Sequence, residues 1–309
     1  MAQFDRVHEL PDGRRLGYCC YGADDGFPVV ALHGTPGSRY KFSMADAEAV
    51  RLGLKLICPD RWGYGLSDVP RGSARLSDYV SDIDSLLAEL GIKRLGIVGV
   101  SGGGPYALAL AAGLRERTAG LALVAPVAPI DRPERRQGVS LFHRCAFRVL
   151  PRLPGIIPLA FSYFRIALAL SPALAIWSMA VRAGRMDREL LSEPDIAADL
   201  VRTFKAGLAR GVRGSSIDMK LFGGDWKIDH SGMTMPARMW LGTQDRNIPV
   251  AAARRLAEDA FELDVIELEK AGHFWITRNF PVVLGWLASQ ARAEAWIGEC
   301  EQAAADAEG

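Results

Sequence analysis

Residues 94–112, RLGIVGVSGGGPYALALAA, run from an apolar stretch through a serine between glycines into a segment of small residues. The apolar stretch is typical of a buried parallel strand, and the residues from Tyr106 to Ala112 predict a helix packed on the sheet. Ser101 then lies in the turn between them, where Gly99 and Gly103 leave room for a sharp reversal. We expect its hydroxyl at the carboxyl edge of the sheet, facing the backbone N–H groups that follow it. The alternative is a structural serine in a strand–helix turn.

A nucleophilic serine needs a base to take its proton and an acid to hold that base. Of the five histidines, His273 follows a strand-like alternating run and precedes the last predicted helix, which makes it the candidate base. His8, His143 and His230 are interpreted as surface or packing residues.

Two carboxylates compete for the role of the acid. Asp245 lies in a Gly-Thr-Gln-Asp turn directly after the apolar residues 239–241, and is the candidate acid. An ordinary solvated turn residue is the other interpretation of Asp245. Asp131, which follows the apolar run LALVAPV, is the rival acid.

The chain order Ser101, Asp245, His273 resembles that of the α/β-hydrolase superfamily. Residues 33–37, HGTPG, are similar to the H-G-x-P-G loop of that family, and residues 60–68, DRWGYGLSD, to its D-x-x-G-x-G-x-S segment. The resemblance covers nearly the whole chain.

The resemblance also implies roles around the serine. The backbone N–H groups of Thr35 and Gly102 would form the oxyanion hole. His33 and Gly34 would support the site as structural residues, together with Gly99 and Gly103. Several branches of the family have glycine where this chain has Thr35, but the donor is a backbone group and is retained.

The pattern along the chain predicts an α/β fold with a mostly parallel, eight-stranded sheet and flanking helices. The first two strands are expected to form an antiparallel hairpin. The predicted strands are residues 6–10, 15–22, 28–33, 55–59, 94–100, 119–126, 237–242 and 264–268. The predicted helices are residues 38–53, 74–90, 103–116, 250–260 and 280–297.

About a hundred residues between the sixth and seventh strands break this alternation, which is too long for a simple connection. We therefore predict a core domain of residues 1–127 and 237–309, with a helical cap of residues 128–236 inserted after the sixth strand. The middle of the cap is strongly apolar and either packs the cap or lines a lipophilic pocket or membrane contact. Its longest uncharged stretch has 16 residues and contains Pro172, so no stable membrane span is expected.

Composition mainly excludes classes of function. A net charge of +1 gives no reason to expect a nucleic-acid partner. Five cysteines without a metal-binding spacing predict reduced thiols and neither metal nor cofactor. The first residues lack the layout of a signal peptide, so a cytoplasmic location is expected. The expected partner is a small, apolar substrate, and a homodimer is left open.

These observations favour a serine hydrolase that cleaves a carboxylic ester with an apolar acyl or alcohol part through an acyl-enzyme. One alternative is an aminopeptidase similar to proline iminopeptidases, whose substrate amine would need cap carboxylates such as Glu189, Glu193, Asp195 and Asp199. A carbon–carbon bond hydrolase or a cofactor-free perhydrolase would use the same three residues. Outside the enzymes, the fold could serve as a ligand receptor.

Overall fold

The computed structural model describes residues 5–259 and 261–308, so the ends of the predicted core domain, residues 1–4 and 309, lie outside the described part. The strands are Arg6–Glu9 (β1), Arg15–Gly22 (β2), Phe27–Leu32 (β3), Leu54–Pro59 (β4), Leu95–Val100 (β5), Thr118–Val124 (β6), Ala237–Gly242 (β7) and Asp264–Leu268 (β8). The α-helices are Asp46–Leu52 (α1), Leu76–Glu89 (α2), Gly104–Gly113 (α3), Leu141–Arg144 (α4), Ile156–Leu170 (α5), Pro172–Arg182 (α6), Arg185–Ser192 (α7), Pro194–Gly207 (α8), Arg213–Phe222 (α9), Val250–Asp259 (α10) and Ile276–Glu308 (α11).

All eight strands form one sheet in the order β1-β2-β4-β3-β5-β6-β7-β8. Strands β1 and β2 form an antiparallel hairpin, and β2 runs antiparallel to β4. The remaining neighbours are parallel. The predicted mostly parallel, eight-stranded sheet with flanking helices is therefore confirmed.

The sheet separates two apolar layers. Strand β5 is buried along its whole length, and its successive side chains alternate between the layers. Ile97 packs on the side of α2, α3 and α10, whereas Val98 packs on the side of α1 and α11. Burial on both faces explains why the sequence of β5 is continuously apolar.

Two predicted helices differ most from the observed ones, and the bounds of the others differ by at most three residues. The predicted helix 38–53 is a 3-10 helix, Arg39–Ala45, followed by α1, because the Ser38 hydroxyl accepts the backbone N–H of Tyr40 and starts a tight turn. The last helix begins earlier than predicted and is broken at Asn279, where φ is −123°. Pro281 explains the break, since it lacks an N–H and its ring crowds the preceding turn.

Helices α4 to α9 lie between β6 and β7. They occupy the region predicted as a cap, and the division into two domains stays a prediction. Within the described ranges, no single helix is long and apolar enough to cross a membrane. The segments Leu141–Arg152 and Ile156–Leu170 meet that criterion only as a pair, and they are bent by 108°.

Candidate active site

Ser101 begins a 3-10 turn, Ser101–Gly103, between β5 and α3. Its φ of +53° lies in the left-handed region, which is strained for a residue with a side chain. The carbonyl of Ser101 stabilises the turn. It accepts the backbone N–H groups of Gly104 and of Val127, the latter at 3.0 Å. Such a strained turn presents the serine hydroxyl at the carboxyl edge of the sheet.

The glycines around Ser101 lie where the backbone leaves no space for a side chain. A Cβ at Gly99 would lie 2.5 Å from the Cβ of Ala107, and one at Gly103 would lie 2.4 Å from the Leu32 carbonyl oxygen. Larger residues at these positions would push β5, α3 and β3 apart. Gly34 lies beside the serine, because a Cβ there would be 3.3 Å from the Ser101 Cβ.

The candidate base and acid are in direct contact. Nδ1 of His273 donates to Oδ2 of Asp245 at 2.7 Å. The other carboxylate oxygen accepts the backbone N–H groups of Asn247 at 2.7 Å and Ile248 at 3.1 Å. Because Nδ1 carries the proton, Nε2 is available as the base.

The electrostatic surroundings of His273 favour its protonated form. Burial alone lowers its pKa, but the charge of Asp245, the hydrogen bond to it and the charge of Asp187 together raise the pKa above its usual value. A histidine that abstracts a proton passes through this protonated form.

Asp187, on α7, is a residue near the site that the sequence did not single out. Its side chain is fully buried and accepts the backbone N–H groups of His273 at 2.8 Å and Phe274 at 2.9 Å. Burial raises the pKa of Asp187, and the two N–H groups oppose this shift. The surrounding sequence, RMDREL, looks like an exposed charged helix and gives no signal of this contact.

The two residues predicted to supply the oxyanion donors, Thr35 and Gly102, lie next to each other. A Cβ at Gly102 would lie 2.1 Å from Oγ1 of Thr35, which follows β3. The Thr35 hydroxyl donates to Oδ2 of Asp218 at 2.5 Å and accepts from Nη2 of Arg61 at 3.0 Å. These two hydrogen bonds hold the side chain of Thr35 in place, and with it the loop that carries the Thr35 backbone N–H.

Behind this loop lies a buried ion pair that the sequence did not reveal. Nη1 of Arg61 donates to Oδ1 of Asp218 at 2.5 Å, and both side chains are at most 1% exposed. Asp218, on α9, also accepts the hydroxyls of Tyr64 at 2.7 Å and Tyr106 at 2.8 Å. Burial and the nearby carboxylate raise the pKa of both tyrosines.

His33 uses both ring nitrogens within this network. Its Nδ1 donates to the Gly34 carbonyl at 2.8 Å, and its Nε2 accepts the backbone N–H of Arg61 at 3.0 Å. Burial and the charge of Arg61 hold the pKa of His33 well below its usual value. Both observations place His33 as a neutral residue that supports the loop.

The other candidates make contacts of their own. Asp131, the rival acid, pairs with Arg135 at 3.0 Å and Arg132 at 3.4 Å. His8 bonds to Ser85 at 2.8 Å and pairs with Glu89. Of the two candidate acids, Asp245 is the one whose described hydrogen bonds include His273.

Ser101 and His273 line one cavity of about 440 Å³. Its lining is mostly apolar and is rich in phenylalanines contributed by the predicted cap, Phe142, Phe147, Phe161, Phe164, Phe204 and Phe222. Lys41 and Arg182 are its basic residues besides the histidine. Among the described residues that line it, there is no Asp or Glu.

The cap carboxylates considered for binding an amine are engaged elsewhere. Glu189 pairs with Arg185 at 2.9 Å, and Asp195 and Glu193 pair with Arg278. Asp199 accepts the hydroxyl of Ser43 at 2.7 Å. In the described part of the chain, no group of three or more His, Cys, Asp or Glu residues is placed to hold a metal ion.

Comparison with known sequences and structures identifies relatives. A model of the alpha/beta hydrolase family matches residues 29–283. A non-heme chloroperoxidase from Streptomyces lividans is 32% identical over 120 residues, which cover 38% of this chain and 44% of that protein. A proline iminopeptidase from Lactobacillus delbrueckii subsp. lactis is 32% identical over 106 residues, which cover 32% of this chain and 36% of that protein. The alignments thus span less than half the length of these relatives.

The fold is shared over a longer range. The crystal structure of a bromoperoxidase from Bacillus anthracis superposes with a TM-score of 0.68. The match covers 92% of this chain and 98% of that one, at 18% sequence identity. This likeness concerns the fold.

Proposed function

The chain belongs to the alpha/beta hydrolase family, and from this premise we propose that it is a serine hydrolase that cleaves carboxylic esters with an apolar acyl or alcohol part. The observation that carries the proposal is the bond between His273 and Asp245, 2.7 Å long, beside a cavity that His273 shares with Ser101. The apolar lining of that cavity supports an apolar substrate.

In the proposed reaction, Oγ of Ser101 attacks the ester carbonyl while Nε2 of His273 takes its proton. Asp245 holds the imidazolium that forms. The backbone N–H groups of Thr35 and Gly102 bind the oxyanion, and His273 then gives its proton to the leaving alcohol. Water, activated by His273, attacks the acyl-enzyme, and Ser101 is released with the carboxylic acid.

The cavity favours an ester over the amine-bearing substrate of an aminopeptidase. A free α-amino group is cationic and needs a carboxylate partner. The described residues that line the cavity include no Asp or Glu, and they include Lys41 and Arg182. A cationic substrate would therefore find no carboxylate partner in the described lining.

The test combines labelling with turnover. We expect the wild-type protein to react with a fluorophosphonate probe and to hydrolyse short 4-nitrophenyl esters. Ser101→Ala should lose the label and slow hydrolysis by about a thousandfold or more. Ser81→Ala, at an exposed position on α2, is the matched control and should retain both.

Two outcomes would contradict the proposal. Hydrolysis by Ser101→Ala at the wild-type rate would exclude Ser101 as the nucleophile. Labelling of the wild type without turnover of any ester, amide or thioester would favour a ligand receptor.

A further inference from the structure

Lys41 is a buried cation that lines the cavity and that the proposed mechanism does not use. It lies in the 3-10 helix Arg39–Ala45, is 7% exposed and lines the same cavity as Ser101 and His273. Its charge acts on His273, whose pKa it lowers. Lys41 is therefore close to the reacting groups and has access to a bound substrate.

The ammonium of Lys41 has no anionic partner at bonding distance among the described residues. The charge of Asp199 acts on Lys41. The carboxylate of Asp199, however, accepts the hydroxyl of Ser43 at 2.7 Å and lies 4.0 Å from the guanidinium of Arg202. The ammonium faces the ring of Phe280, whose centroid is 5.9 Å away.

An unpaired ammonium in an apolar cavity is costly, because it has lost water without gaining an anion. Burial accordingly lowers the pKa of Lys41, and Asp199 opposes the shift only in part. A leucine or methionine would fill the same space without this cost. Arg182, the other cation of the lining, is exposed and stacks on Phe142 at 4.3 Å, so its charge is already solvated.

We propose that Lys41 binds an anionic group of the substrate, so that the preferred esters carry a carboxylate separated from the ester by an apolar chain. This inference rests on the proposed ester hydrolysis. The carboxylate would satisfy the ammonium, the apolar chain would contact the phenylalanines, and the ester carbonyl would lie at Ser101. An apolar lining with one buried cation suits such a molecule better than a neutral lipid.

The experiment compares esters that differ only in this charge. Mono-4-nitrophenyl adipate and 4-nitrophenyl 6-methylheptanoate have the same number of heavy atoms and a similar branched end, and only the former carries a carboxylate. Suberate and 8-methylnonanoate esters form a second pair with a longer spacer. We expect the wild type to prefer the anionic member, by the ratio of kcat/KM, at one spacer length at least.

Lys41→Met should lower that ratio by about 10- to 100-fold, which is the usual effect of losing a hydrogen bond to a charged group. Lys205→Met, at an exposed position on α8 outside the cavity, is the matched control and should leave the ratio unchanged. Labelling by a fluorophosphonate reports whether the site of Lys41→Met is still formed. A wild-type preference for the neutral ester at both lengths, or the same ratio in Lys41→Met, would overturn the inference.

A failure of the proposed function would be recognised separately. If the wild type hydrolyses none of these esters, the binding of octanoate and of octanamide is measured by calorimetry on the wild type and Lys41→Met. Octanoate binding that exceeds octanamide binding and is lost in Lys41→Met would uphold the anion site without the esterase. Equal binding of the two by the wild type would overturn the anion site.

Discussion

At the scale of single residues, the proposed mechanism makes both the rate and its dependence on pH depend on the hydrogen bond between Asp245 and His273. His273 acts as a base only when neutral, so kcat/KM should rise with pH through the pKa of His273. Asp245 raises that pKa. Its neutral amide analogue, Asp245→Asn, should therefore shift the acidic limb to lower pH and reduce the plateau by about 10³- to 10⁴-fold. The pH profile of 4-nitrophenyl ester hydrolysis measures both effects.

Asp131→Asn is the control for this prediction, because Asp131 is the other carboxylate considered as the acid. Its partners are Arg132 and Arg135, so its pH profile should match that of the wild type. A large loss in Asp131→Asn, with Asp245→Asn nearly as active as the wild type, would reverse the assignment.

The residues of the candidate site divide into those that sequence could predict and those that it could not. Ser101, Asp245 and His273 each follow a strand of the sheet, and the carboxyl ends of parallel strands meet at one edge. That all three lie at the same edge of the sheet therefore follows from the parallel arrangement of β5, β7 and β8. Asp187 and Asp218 gave no such signal, because each lies on a helix far along the chain from the group that it binds.

At the scale of elements, α7 is hydrogen-bonded to the loop that carries His273, the proposed base. Asp187 accepts two consecutive N–H groups of that loop, at His273 and Phe274. In Asp187→Asn, the amide presents a donor to one of them, so we expect the loop to shift. A displaced base costs about 10- to 100-fold in kcat. Asp187 also raises the pKa of His273, so the acidic limb of the profile should move to lower pH.

The pH shift distinguishes positioning of the base from general loss of stability, which would lower the amount of active enzyme at every pH. Glu189→Gln serves as the control on the same helix, since Glu189 is exposed and pairs only with Arg185 among its described contacts. An Asp187→Asn protein with wild-type kcat and an unchanged profile would show that the contact does not position His273.

Element boundaries were predictable where patterns are local. Strand β7 and strand β8 have the predicted bounds, because short apolar or alternating runs between turn residues define them. The start of α11 was missed by four residues, since the turn before Pro281 continues as helix with a break at Asn279. Pro281 marks the break itself, but a local pattern does not report that the residues before it, from Ile276, are helical as well.

At the scale of the whole molecule, the region predicted as a cap shares buried contacts with the sheet region. Phe274, from the loop after β8, belongs to the apolar cluster of α5 to α8, and the backbone N–H of Gly65 donates to the Gly207 carbonyl at 3.0 Å. The Arg61–Asp218 ion pair joins the loop after β4 to α9. The two regions are therefore expected to lose their structure together.

We predict a single cooperative thermal transition, in which the calorimetric and van't Hoff enthalpies agree. Two transitions in the wild type would mean that the cap and core are independent.

Asp218→Asn should lower the free energy of unfolding by about 3–5 kcal/mol, because it leaves the buried guanidinium of Arg61 without its anion. Asp225→Asn, at an exposed position after α9, should stay within about 0.5 kcal/mol of the wild type. A buried charge that loses its partner lowers the free energy of unfolding. If Asp218→Asn and Asp225→Asn were equally stable, the Arg61–Asp218 pair would therefore not hold the two regions together.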